Sequence, residues 1–277
     1  MSKSNLTIIV PVHSVEDAGK HKFDDMFDIA LSSININETK PEKVLVVICD
    51  CSDVKEKVES VDFGKYDGLD IEVIVNTGET DYQSQINFAA KEVNTEFMSV
   101  LEFDDELSKT WFKNVNDHIE SYPEVDLFLP IVNDVDQEGN FIGLSNEAVW
   151  AYNFTETVGN IDLEVLLEYP NISLCGMVIK TEVFNNIGGL KQIKLTFNYE
   201  FLLRFHSNGH KSMVIPKIAY KHVNMRDNSL FWLYKNSEAL EYKIEPNEGL
   251  FWMETAKKEY LFNDDRNIKY EDVETVD

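Results

Sequence analysis

Glu102, Asp104 and Asp105 set three carboxylates close behind the apolar run Phe97 to Phe103. Carboxylate oxygens are natural ligands for a hard divalent cation, and a cation held that way can stabilise charge gathering on phosphate oxygens. Acids also favour the first turn of a helix, so the cluster alone is equally compatible with a plain helix start. Asp50 closes a second apolar run, where a surface turn acid is the plain alternative. In the second half Asn198 and Glu200 stand two residues apart and His222 follows a further apolar run. A general base must be a carboxylate or imidazole within hydrogen-bond reach of its hydroxyl, so Glu200 is the nearest acid for that task. In a helix, positions 198 and 200 point about 200° apart, so the two would serve one site only if the segment were a loop. His21, His118, His206 and His210 show no metal-ligand spacing.

These residues need a scaffold that brings them together. Leu6 to Val12, Val44 to Ile48, Ile71 to Val75 and Phe97 to Phe103 read as buried strands. Helical patterns cover Phe23 to Ile36, Ser52 to Val61 and Tyr82 to Val93 between them. Strands alternating with helices predict an α/β protein with a mostly parallel central sheet covered on both faces. Ligands of such sheets sit at the carboxyl ends of the strands, which would gather His13 to Glu16, Asp50 to Asp53 and Glu102 to Glu106 into one crevice. Further on, Asp126 to Val132, Ser173 to Lys180 and Lys211 to Ile215 read as strands. Asn133 to Asn140 read as a polar turn, Glu182 to Ile187 as a short helix before Gly188-Gly189, and Asn198 to Asn208 as another helix.

Composition narrows the chemistry. With 50 acidic against 25 basic residues the formal charge is −25, a field that repels nucleic acid and anionic membranes. An anionic nucleotide would need a local reversal of sign, and a metal held by carboxylates supplies one. Three cysteines, Cys49, Cys51 and Cys175, argue against a disulfide framework and a zinc cluster, and Cys49-Asp50-Cys51 reads as a strand end. No run approaches the roughly 20 apolar residues of a membrane span, and the N-terminal apolar run is too short for a signal peptide, so a cytoplasmic location is expected. Aromatic, amphipathic stretches at Phe231 to Leu240 and Leu250 to Phe262 precede an acidic tail and could pack on the main domain or form a homo-oligomer surface.

Four segments in order resemble family 2 glycosyltransferases with the GT-A fold. LTIIVPVH is similar to that family's opening strand, and VLVVICDCSD to its second strand and loop. INFAAKEVNTEFMSVLEFDDEL resembles the Asn-containing helix and the strand ending in Asp-x-Asp, with Glu102 in place of the first acid and Ile86 where Arg is common. VFNNIGGLKQIKLTFNYEFLLRFHSNGH resembles the acceptor-side Gly-Gly and Glu-Asp-x-x-Leu-x-x-Arg region, with Asn198 where the family has its catalytic Asp. The likeness implies a GT-A domain over residues 1–225, a nucleotide-sugar half about 1–107, an acceptor half about 108–225, and a helical elaboration with an acidic tail over 226–277.

The resemblance implies an inverting transfer from a nucleoside diphosphate sugar, a UDP-sugar by expectation, to a hydroxyl on a glycan, lipid or protein, with Mn2+ or Mg2+ as cofactor. Pro11, Val12 and His13 would frame the base, Asp50 would bond base or ribose, and Asn87 would contact the nucleotide or merely cap its helix. Asp104 would be the first metal ligand. Glu102 would lie toward the ribose or share the metal through water, Asp105 would ligate or orient its neighbour, and His222 would approach the metal or diphosphate. A nucleotidyltransferase is a competing reading, although VPVHSVEDAGK lacks a Gly-rich basic loop. Asn198 supports another: a binding or scaffolding protein that kept the fold and lost the base.

Overall fold

The structure is a computed structural model that describes residues 3–152, 159–193, 196–224, 226, 227 and 258. In chain order its first half comprises β1 (Lys3–Val12), α1 (Phe23–Asn35), β2 (Lys40–Cys49), α2 (Ser52–Glu59), β3 (Ile71–Asn76), α3 (Tyr82–Glu92), β4 (Phe97–Val100) and β5 (Glu106–Leu107). Then follow α4 (Trp111–Ser121), β6 (Leu127–Val135), β7 (Phe141–Ser145), α5 (Glu147–Tyr152), β8 (Asn160–Ile161), α6 (Leu163–Glu168), β9 (Val178–Lys180), α7 (Thr181–Asn186), α8 (Phe197–Ser207) and β10 (Ser212–Val223). One sheet in the order β3-β2-β1-β4-β9-β6-β10-β5 runs through both expected halves. β3, β2, β1 and β4 are parallel, as are β6 and β10, while β9 joins β4 and β6 antiparallel. The architecture is the mostly parallel α/β sheet expected.

The strands are apolar throughout because both faces are covered. Leu6, Ile8, Val10 and Val12 of β1 and Val44, Val46 and Ile48 of β2 pack with Phe23 and Phe27 of α1, Val54 of α2 and Trp111 of α4. The alternate residues Ile9, Leu45 and Val47 pack with Ile86 of α3, Phe184 of α7 and Phe201 and Phe205 of α8. Period-two alternation thus feeds two cores.

Several boundaries differ from the sequence reading. β4 stops at Val100, and after Leu101 N–H bonds Ile9 O at 3.0 Å the chain turns, Asp105 N–H reaching Glu102 O at 3.1 Å. The turn takes the acids out of strand geometry and packs them into a compact loop. β9 keeps only Val178–Lys180, because Leu174 to Met177 form a turn closed by Met177 N–H on Leu174 O at 3.0 Å. Gly176 occupies φ 70° in that turn, and a Cβ there would meet the Tyr220 ring. β6 continues to Val135 as a hairpin with β7, through residues read as polar turn. The aromatic stretches after Asn228 lie outside the described residues, Lys258 apart. Among the described residues no helix is long and apolar enough to cross a membrane.

The loop between α7 and α8 is gripped through its main chain. Asn87 of α3 donates to Leu190 O at 2.7 Å and accepts from Leu190 N–H at 2.8 Å, and Gln83 donates to Ile193 O at 2.8 Å. From the other side Arg204 of α8 donates to Ile187 O and to Gly189 O. Gly188 and Gly189 both have positive φ, but only at Gly189 would a Cβ collide with Asn87 Oδ1, whereas Gly188 faces open space. Gly188→Ala is expected to cost about 1 kcal/mol from backbone conformation alone, and Gly189→Ala about 2 to 3 kcal/mol, read as lowered urea midpoints at unchanged m-value. His206 of α8 bonds Ser212 Oγ at 2.9 Å, and burial lowers its imidazole to about 4 from the model-compound 6.5. Between those values the unfolded chain takes a proton that the folded chain refuses, so stability falls as pH drops through this window and is unaffected above it. The loss attributable to this ring is roughly 2 kcal/mol, below the full shift because the ring is partly exposed. Acid titration of His206→Gln by circular dichroism should show that increment removed.

Candidate functional site

The carboxyl ends of β1, β2 and β4 adjoin, and β10 closes the arrangement from the far side. At the β1 end Pro11 and Val12 are buried, and the His13 ring meets Phe103 edge-on, centroids 5.7 Å apart. At the β2 end Asp50 is exposed and paired with Lys55, its N–H bonding Asn76 O at 3.1 Å. The Cys49 and Cys51 sulfurs on either side of it are joined as a disulfide, against the expectation of an unbridged strand end. A two-residue separation lets neighbouring side chains at a strand exit meet without any framework.

The acidic turn is positioned by β10. β5 pairs antiparallel with β10, Leu107 opposite Tyr220 and Glu106 opposite Lys221. Tyr220 Oη accepts the Glu102 N–H at 3.2 Å. Asp105, only 2% exposed, accepts the Val223 N–H at 3.1 Å and pairs with His222 Nδ1 at 2.8 Å. Asp104 turns the other way, and Arg226 holds it by an ion pair at 2.5 Å and a bond to its carbonyl at 2.6 Å.

One ligand atom each from Glu102, Asp105, Cys175 and His222 lies within 4.8 Å of the others. This differs from the set of Asp104, Glu102 and His222 expected from the sequence: the Asp104 carboxylate is committed to Arg226, while Asp105 and Cys175 join the cluster. Electrostatics give the cluster a deficit of positive charge. Burial and the Asp105 charge push the Glu102 carboxyl up to about 8, and the same two causes push Asp104 up to about 6 despite Arg226. Burial opposes protonation of His222, but Asp105, by charge and hydrogen bond, prevails and holds it at about 10. A dication bound here would take the place of the protons that these carboxylates and this imidazole hold. The donor set, two carboxylates, an imidazole and a thiol, therefore suits a divalent metal.

Beside this cluster opens a cleft lined by Glu102, Cys175, Tyr82, Phe197 and Asn198. Asn198 Oδ1 is buried there with no hydrogen-bond partner. Glu200 is not in the cleft. α8 is a continuous helix, which removes the loop that would have let Glu200 swing round, and its carboxylate is bound by Arg204 at 2.8 and 2.9 Å and by Lys191 at 3.1 Å. Burial would raise the Glu200 carboxyl, yet Arg204 and Lys191 hold it below the usual carboxylate range. Asn87 is likewise spent, since its amide oxygen and nitrogen both bond Leu190. The Glu200 carboxylate, expected as base, and the Asn87 amide, expected as nucleotide contact, are thus engaged in bonds within the protein.

Cys175, Arg226 and Tyr220 escaped the sequence reading. Cys175 was set aside by cysteine arithmetic, which looks for pairs, whereas here one thiol joins unlike ligands. Arg226 and Tyr220 act through side-chain contacts with a turn more than a hundred residues earlier, which no motif records. Their only sequence signal is proximity to His222 in AYKHVNMRDNS.

A family model described as Glycosyl transferase family 2 matches residues 7–188. No curated protein matches the sequence. Among solved structures the chain is similar to S. aureus TarS 1-349 in complex with UDP-GlcNAc, with TM-score 0.65 and 17% identity over 95% of this chain and 68% of that one. It is also similar to S. aureus TarS 1-349 in complex with UDP, with TM-score 0.57 and 17% identity over 93% of this chain and 72% of that one. At such identity the likeness concerns architecture, and it matches the GT-A sheet described above. The family match covers more than half of the 277 residues and includes the β1, β2 and β4 exits. The chain is therefore a glycosyltransferase of the GT-A fold and belongs to glycosyl transferase family 2.

Proposed function

We propose that the protein transfers a sugar from a UDP-sugar to an acceptor hydroxyl with inversion at the anomeric carbon, using a divalent cation at the β4 exit. The observation that carries this reading is the convergence of Glu102, Asp105, Cys175 and His222 beside the ends of β1 and β2. A cation bound there would neutralise the charge that develops on the leaving diphosphate. Asp105 fixes His222 through the 2.8 Å bond, and Arg226 keeps the neighbouring Asp104 turned aside. Pro11, Val12 and His13 offer main-chain groups to the base, and Asp50, exposed at the next strand end, offers a carboxylate to base or ribose. The donor sugar would then point toward the cleft that holds Asn198. A cytoplasmic setting belongs to the same proposal. The nucleotidyltransferase alternative draws no support from the family match.

Asn198 favours a second reading. Its unpartnered Oδ1 can accept a hydrogen bond from an acceptor hydroxyl, but an amide does not take the proton at neutral pH. A donor-binding protein with impaired turnover is consistent with that substitution. The two readings separate in one experiment: binding and hydrolysis of UDP-GlcNAc with manganese, for the native chain and for Asn198→Asp. Turnover by the native chain supports the transferase reading. Binding alone, with turnover appearing roughly 10²-fold above background only in Asn198→Asp, supports the impaired one.

Two further outcomes are expected. Asp105→Asn should weaken manganese-dependent UDP binding by roughly 10-fold or more in calorimetry, because it loosens His222 along with the cluster. Glu200→Gln should cost about 3 kcal/mol of unfolding free energy by breaking a buried ion pair, yet leave UDP affinity within about two-fold.

A further inference from the structure

We infer that Cys175 supplies a sulfur ligand to the cation site, so that the site prefers a borderline transition ion such as Zn2+ or Co2+ over Mg2+. The inference deepens the metal-dependent reading above and rests on it only for the purpose the cation serves.

The thiol is built into its place. Trp111 Nε1 donates to Gly176 O at 3.1 Å, Ser173 Oγ accepts the Cys175 N–H at 3.2 Å, and the positive φ of Gly176 lets the turn lie against the Tyr220 ring. That frame aims Cys175 Sγ at Glu102 Oε1, 3.8 Å away. Sulfur and oxygen ligands at about 2.3 and 2.1 Å from one tetrahedral ion are themselves roughly 3.6 Å apart, so this pair is already near ligand spacing. Asp105 and His222 stand closer, at 2.8 Å, because a proton now lies between them, and an ion in its place needs them to part by about half an ångström.

A thiol could instead be an inert wall of the cleft, a small apolar group in a buried place. The surroundings argue otherwise. Cys175 Sγ lies within 4.8 Å of ligand atoms of Glu102, Asp105 and His222, so it faces two carboxylates and an imidazole. A dication in their midst would attract a thiolate to complete the set. Mg2+ demands near-octahedral oxygen ligands and keeps several waters, whereas thiolate and imidazole suit Zn2+ and its neighbours.

The test is optical titration of the full-length protein with Co2+, without substrate. The expected result is one Co2+ per chain with visible ligand-field bands and a sulfur-to-cobalt charge-transfer band in the near ultraviolet. Cys175→Ser should keep the visible bands, lose the charge-transfer band and lower the Zn2+ to Mg2+ affinity ratio by roughly 10-fold or more. A Cys49→Ser/Cys51→Ser variant should keep the charge-transfer band, and its loss there would overturn the assignment by locating the sulfur at the β2 exit. Stoichiometric Co2+ binding without a charge-transfer band would remove Cys175 from the ligand set and leave the metal reading standing. Failure of the native chain to bind Co2+ while it still binds UDP would overturn both.

Discussion

A buried carboxylate ties the turn after the fourth strand to the end of the tenth. Asp105 follows the fourth strand, His222 and Val223 end the tenth, and the bonds between them join residues 117 and 118 positions apart. A charge at that depth is tolerated only when donors surround it. Its partners come from a strand whose own place depends on pairing with β6 along most of its length. The acidic turn is therefore a product of the whole sheet. Glu102 is anchored by Tyr220 and Asp104 by Arg226, so each acid of the turn has its own tether on or just beyond the same distant strand.

Much of the fold was legible because its physics is local. β1, β2 and β3 are apolar runs with helical periodicity between them, and residues such as Ile8 and Ile9 show by their neighbours which face each serves. The rule that ligands gather at strand carboxyl ends then placed Pro11, Asp50 and Glu102 near one another without coordinates. Where side chains close turns the reading blurred. The strand expected through Phe103 ends at Val100, since the Glu102 to Asp105 turn depends on anchoring by residues more than a hundred positions later. α4 went unread because its apolar residues are few and sit among polar ones.

The site was legible in kind and less so in assignment. Acids crowded at a strand exit suit a cation, but nothing in EFDDE says which carboxylate faces inward. That choice was made by Arg226, which captured Asp104, and by His222, which captured Asp105. Glu200 shows the same limit. Its spacing from Asn198 already warned of the wrong helix face, and the structure adds the reason it is an acid: Arg204 one turn along and Lys191 need a counter-charge. Cys175 could not be found from spacing, because its companions come from two other segments, the Glu102 to Asp105 turn and the end of β10.

The segment between α7 and α8 is held by Asn87, Gln83 and Arg204, and all three address its carbonyls or amides, not its side chains. Such a grip does not depend on which side chains the segment carries, apart from the glycine that admits Asn87. The segment's side chains add ties of their own: Leu190 is buried in the core, Lys191 pairs with Glu200, and Gln192 bonds Asp81 and Ser84. Main-chain and side-chain ties together make this segment a fixed wall of the cleft that Leu190 lines, so a change of side chain there would alter the cleft's surface and the seating of its backbone at once.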